Sequence, residues 1–234
     1  MLLLLGAANC SAEEIRVAVA SNFMSTIKIL GAKFEQKTGH RVILSSGSTG
    51  KHYAQIIHGA PFHAFFAADT KRPALLEQSG LTQANSRFTY AIGKLALWSP
   101  KGLAENNGTA LRKGKFRHLA IANPKLAPYG KAAFQVLQAR GLWLPLKNKI
   151  VRGENIAQTF QFVKSGNADL GFIASSQLEP PDRNRVWLVP QALYKPIRQQ
   201  AVLIKNNAAA QAFVDYVQSD EAKKIIEESG YSTP

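Results

Sequence analysis

The chain has little of several things, and each shortage removes a class of protein. Its 234 residues include one cysteine, Cys10, so neither a disulfide framework nor a CxxC zinc site can be assembled. Histidines number five. The nearest three, His52, His58 and His63, lack the i, i+4 spacing of a helical metal pair. No metal-ligating set is expected, and these read as surface or internally satisfied polar residues. Acids are scarce: 15 Asp and Glu stand against 29 Lys and Arg, a formal net charge of +14. Yet the basic residues are scattered, as in Lys33, Lys37 and Arg41. No long basic run and no aromatic–basic alternation forms a single-strand platform, so nucleic acid is not an expected partner. Beyond the N-terminal leucines no stretch is apolar and long enough to span a bilayer.

What is present is a chain that is 46% hydrophobic, ample for one large domain or two small ones. Its positive surface favours approach of anions or docking onto an acidic partner. Residues 1–12 are apolar and end in small residues before Glu13-Glu14. They read as the tail of a secretory signal cleaved after Ala12, although the basic first region is lacking. A lipid anchor at Cys10 fits poorly, since Ala7-Ala8-Asn9 precedes it.

Strand and helix patterns alternate along the chain. Ile15, Val17 and Val19 alternate as in a strand, and Phe23, Ile27, Leu30 and Phe34 follow at helical spacing, which puts Ser21 or Asn22 at an N-cap. Val42–Leu44 and Ala64–Ala67 read as strands, Phe88–Leu97 as one extended strand, and Leu119–Ala122, Leu170–Ile173, Val186–Val189 and Gln200–Ile204 as four more. Helices are expected through Phe134 and Leu137, from Asn155 through Val163, and at the C-terminus. This alternation predicts an α/β fold with a sheet covered on both faces.

The run Ser45-Ser46-Gly47-Ser48-Thr49-Gly50 lies between an apolar strand and a helical pattern. A small-residue loop entering a helix aims backbone N–H groups and hydroxyls at one point, which suits an anion. Gly50-Lys51 resembles the end of a nucleotide phosphate loop. That motif fails at two positions: Ser45 stands where Gly is needed, and His52 where Ser or Thr would hold magnesium. A plain Ser/Gly turn is the bland alternative. A hydrolase using Ser48 or Thr49 would need a nearby base, and no GxSxG context is present. Ser21-Asn22, Ser48-Thr49 and Asn155-Ile156 occupy strand-to-helix junctions, where α/β folds bind ligands. Tyr129 lies in another loop entering a helix.

Several segments recur in order: Val19-Ala20-Ser21-Asn22-Phe23, Ile43 to Gly50, Gly59-Ala60-Pro61 to Asp69, Phe88 to Leu95, Asn123-Pro124 through Tyr129-Gly130, and Ala168-Asp169-Leu170-Gly171-Phe172. Together they resemble the periplasmic molybdate/tungstate-binding proteins of ABC importers, from about Glu13 to the end. The resemblance implies a type II periplasmic binding protein fold. Two α/β lobes, 13–91 with 197–234 and 92–196, would be joined by two crossing strands near Ala91 and Pro196. It implies no cofactor, a molybdate or tungstate ligand, a membrane permease partner, a monomer and a periplasmic location. The family's ligand positions fall on Ser21, Asn22, Ser48, Thr49, Tyr129 and Ile156. Many members carry a Tyr where Ala174 stands here, and in the nearest branch Tyr129 takes over the phenol's role. Hydroxyls and helix-start N–H groups donate to a tetrahedral dianion, and the set has no Asp or Glu to accept the proton of a protonated phosphate. Sulfate, with the same charge and shape, is the alternative ligand.

Overall fold

The computed structural model describes residues 12–102, 104–179, 182 and 186–234. The expected secretory segment therefore lies outside the described residues, apart from Ala12. In chain order the elements are β1 (Glu14–Ala20), α1 (Met24–Thr38), β2 (Arg41–Gly47), α2 (Thr49–Ile57), β3 (Ala64–Ala67), α3 (Lys71–Gln78), β4 (Phe88–Gly93) and β5 (Leu95–Trp98). There follow α4 (Glu105–Lys113), β6 (Leu119–Ala122), α5 (Pro128–Ala139), α6 (Trp143–Leu146), β7 (Ile150–Gly153), α7 (Ile156–Lys164) and β8 (Leu170–Ala174). β9 (Val186–Leu188), β10 (Ile197–Leu203), α8 (Ala208–Gln218) and α9 (Asp220–Glu228) complete the chain.

Two five-stranded mixed sheets result. The first has the order β2-β1-β3-β10-β4 and the second β7-β6-β8-β5-β9. In each, three neighbouring strands run parallel, and one strand from later or earlier in the chain enters antiparallel: β10 in the first and β5 in the second. Helices cover both sheets, giving a two-lobed α/β protein.

The central strands β3, β5, β6 and β8 are buried along their whole length. Such continuous apolar runs are what a strand covered on both faces requires. β2 is an edge strand and only half-buried, which is why it tolerates Ser45, Ser46 and Gly47. These three residues belong to the strand, so the loop expected there narrows to Ser48 alone. Helix α1 turns Ile27, Leu30 and Phe34 onto the first sheet, each 2% exposed or less. Burial of side chains of this size is worth about 1.5–3 kcal/mol apiece.

The expected single strand over 88–97 is instead two. β4 belongs to the first sheet and β5 to the second, with Lys94 between them. Apolar patterning cannot register this, because both halves are equally apolar. The chain returns to the first sheet between β9 and β10. At this return β10 shifts register against β4 at Gln199/Gln200, a bulge of the kind that bends a strand.

Candidate functional site

Register sets the site. β1 pairs with β2 so that Ala20 lies opposite Gly47. The residues that follow, Ser21 and Ser48, therefore leave the sheet side by side. In the second sheet β6 pairs with β7 so that Ala122 lies opposite Gly153, and the chain continues from these ends into α5 and α7. Four strand-to-helix junctions, two from each sheet, meet around one cavity. Ser21, Asn22, Ser48, Thr49, Tyr129 and Ile156 all line it, joined by Asn155 and Ala68 among others, and no lining residue is charged. Sequence placed these residues at junctions; their convergence appears only in three dimensions.

The cavity is supplied mainly with donors. Thr49, Tyr129 and Ile156 stand in the first turns of α2, α5 and α7, where backbone N–H groups have no intrahelical partner. None of the three N–H groups has a protein acceptor among the described residues. Each of the three Ser and Thr hydroxyls already accepts a backbone N–H. Ser48 Oγ caps α2 by accepting from Lys51 at 3.3 Å, Thr49 Oγ1 accepts from Ala68 at 3.1 Å, and Ser21 Oγ accepts from Ala157 at 3.4 Å. A hydroxyl so engaged keeps its own proton free to donate. Asn155 caps α7, accepting from the Gln158 N–H at 2.9 Å.

The expected N-cap at Ser21 or Asn22 is not formed. Residues Ser21–Phe23 make a tight 3-10 turn leading into α1, without a side-chain cap. Their polar groups are used elsewhere. Asn22 Nδ2 donates to Gln199 Oε1 at 2.7 Å and to the Tyr231 hydroxyl at 3.1 Å, and that hydroxyl donates to the Asn22 carbonyl at 2.7 Å. Ser176 Oγ donates to the same phenol oxygen at 2.9 Å. Asn22 is thus fixed by residues far along the chain. No sequence pattern marks this network: Gln199 stands in the polar run Arg198-Gln199-Gln200, ahead of the apolar Ala201-Val202-Leu203 end of β10.

The Tyr129 side chain is buried, and its hydroxyl rests against Gly93 at the crossing between sheets. A Cβ on Gly93 would stand 2.0 Å from that oxygen, so no larger residue fits without displacing the ring. Neither Tyr129 Oη nor the neighbouring Gln199 Nε2 has a hydrogen-bond partner among the described residues. Burial pushes the Tyr129 hydroxyl well above its ordinary range and that of Tyr231 up to about 12. Both stay protonated near neutral pH. Ala174 is buried, and its N–H donates to Gln177 Oε1 at 3.0 Å.

The two lobes meet around the cavity. The Gly50 N–H donates to the Leu126 carbonyl at 2.9 Å, Arg72 Nη2 to the Lys125 carbonyl at 2.8 Å, and Lys51 pairs with Glu154. In this closed arrangement the cavity has about 10 Å³ of free room, near the minimum for one water molecule. A five-atom anion is larger than this room.

Residues 15–232 match the family model described as bacterial extracellular solute-binding protein. The chain is 51% identical to the molybdate-binding protein ModA of Azotobacter vinelandii over 231 residues, 95% of this chain and 92% of that one. The chain belongs to the ModA family of bacterial extracellular solute-binding proteins. Another member, molybdate-binding protein ModA of Rhodobacter capsulatus, is 44% identical over 95% of this chain and 90% of its own. The solved structure of the Azotobacter vinelandii periplasmic molybdate-binding protein superposes with a TM-score of 0.90 at 43% identity, covering 94% of this chain and 99% of that chain. In this ModA-family chain the two junction pairs and the two sheet crossings thus belong to a known two-lobed binding fold.

Proposed function

We propose that this chain is a periplasmic solute-binding protein that holds molybdate or tungstate between its lobes and delivers it to a membrane ABC permease. The lobes are 13–91 with 197–234, and 92–196. The ligand oxygens accept from Ser21, Asn22, Ser48, Thr49, Tyr129 and Ile156, and the protein acts as a monomer without turnover or cofactor. The observation that carries this reading is the cavity itself: uncharged, at four strand-to-helix junctions, and rich in donors whose acceptors are missing. A dianion that only accepts suits such a set, and hydrogen bonds to a charged group contribute roughly 1.5–3 kcal/mol each. The names of the close relatives agree with it.

Among the described residues, neither His52 nor Lys51 beside Thr49 is free to act as a base. Both ring nitrogens of His52 are engaged, Nδ1 with Gln55 Oε1 at 2.9 Å and Nε2 with the Val19 carbonyl at 3.1 Å, and Lys51 is paired with Glu154. A thermal-shift series with molybdate, tungstate, sulfate and phosphate tests the reading. Ligand at a thousandfold excess over its dissociation constant adds about 4 kcal/mol of stability. Large shifts with molybdate and tungstate are expected; silence with both sinks the proposal, and equal shifts with sulfate turn it into a general sulfate-type binder.

A further inference from the structure

The charge of +14 has no part in the cavity, whose walls are neutral. A second hollow of about 300 Å³ lies beside it, where the starts of α3, α5 and β10 meet. Six cationic side chains line this groove: Lys71, Arg72, Lys125, Lys131, Lys195 and Arg198. Its single acid, Asp69, is taken up by Arg72, Nη1 to Oδ2 at 2.5 Å. None of the other five cations forms an ion pair among the described residues. The groove also adjoins the site, because Ala68, Ala127 and Pro128 form walls of both hollows. Its cations come from both lobes and from the crossing between them, and they flank the wall that the groove shares with the cavity.

Unopposed cations in a concave surface focus the field and raise the local concentration of small anions, which can speed association by roughly 10–1,000-fold. We infer that the groove is a second, weaker anion site, an antechamber that collects the tetrahedral dianion at the cavity wall and raises its capture rate. The identity of the anion rests on the proposed function; the groove's cationic character does not. A small anion is favoured over an acidic protein segment because the groove ends on the wall of a cavity of small-anion chemistry.

The test is the association rate of molybdate, followed by stopped flow at about 20 mM and about 200 mM NaCl, a range over which screening of exposed charges steepens. The groove variant carries Lys125→Gln, Lys131→Gln, Lys195→Gln and Arg198→Gln. A control removes the same charge outside the groove, with Lys28→Gln, Lys113→Gln, Lys205→Gln and Lys224→Gln. The groove variant is expected to bind about tenfold more slowly at low salt with an unchanged dissociation rate, and the control by less than about twofold. The gap should narrow at the higher salt. An unchanged association rate, equal slowing in both variants, or an effect confined to dissociation overturns the groove alone. Failure of the unaltered protein to bind molybdate, tungstate or sulfate overturns the groove and the proposed function together.

Discussion

The Thr49 hydroxyl accepts the Ala68 N–H, which leaves its proton for the cavity. Thr49→Ala should therefore weaken molybdate binding about tenfold to a hundredfold, the effect of losing one hydrogen bond to a charged group. Titration calorimetry measures it, and unaltered affinity would remove Thr49 from the contact set. His52 bears on stability instead. Burial holds its imidazole below the ordinary 6.5, so the unfolded chain binds the proton more readily. Its contribution is fully present above about pH 6.5 and is lost as pH falls through the lower, folded value. Urea midpoints should drop between about pH 7.5 and pH 5.5, and less steeply in His52→Gln, since a neutral amide cannot charge. A slope unchanged by the substitution would assign the drop to other groups; His63, also lowered by burial, is the first to consider. At this scale sequence identified residue types well and their partners poorly. Ser48 and Thr49 stand out in a small-residue run. That Asn22 is held by Gln199 and Tyr231, 177 and 209 positions away, depends on the fold's closure, and no local pattern carries it.

Helix starts are the elements that matter, and α7 allows a selective test. Ile156 is the first residue of α7, and Asn155 before it is extended, with ψ of 174°. Proline is favoured at a first helical position, and an extended residue before it is compatible with its ring. Ile156→Pro therefore deletes one N–H with little cost to the helix. Affinity should fall about tenfold, as for one charge-assisted hydrogen bond. The loss of the buried Ile156 side chain should appear separately, as a lower melting temperature of the ligand-free protein. Equal affinity in the refolded variant would show that this N–H does not reach the anion. Element by element, most of the α/β alternation was legible, because central strands here are unbroken apolar runs and several helices begin at Ser or Asn. The split of 88–97 was not, since a change of sheet leaves the apolar pattern intact. Nor was β7, whose Ile150-Val151-Arg152-Gly153 edge is short and half-exposed.

At the scale of the molecule, closure rests on few contacts. The Lys51–Glu154 pair is about half exposed on both sides, and exposed pairs of this kind contribute roughly 0.2–1 kcal/mol. Lys51→Glu should speed molybdate release by up to about fivefold, and adding Glu154→Lys should restore it; a double variant as fast as the single one would mean the pair does not hold the lobes together. Two sheets could be expected from the resemblance, but the cavity and the basic groove exist only in the folded chain, because both are made of residues from separate elements. The insertion of β10 between β3 and β4 also governs the order in which the protein can be built. All strands of the second sheet lie within residues 95–188, one uninterrupted stretch. The first sheet lacks an interior strand until Leu203 has been made. On an emerging chain the later lobe can therefore finish before the earlier one. The N-terminal half remains an incomplete sheet throughout that interval, with β3 and β4 lacking the strand that joins them.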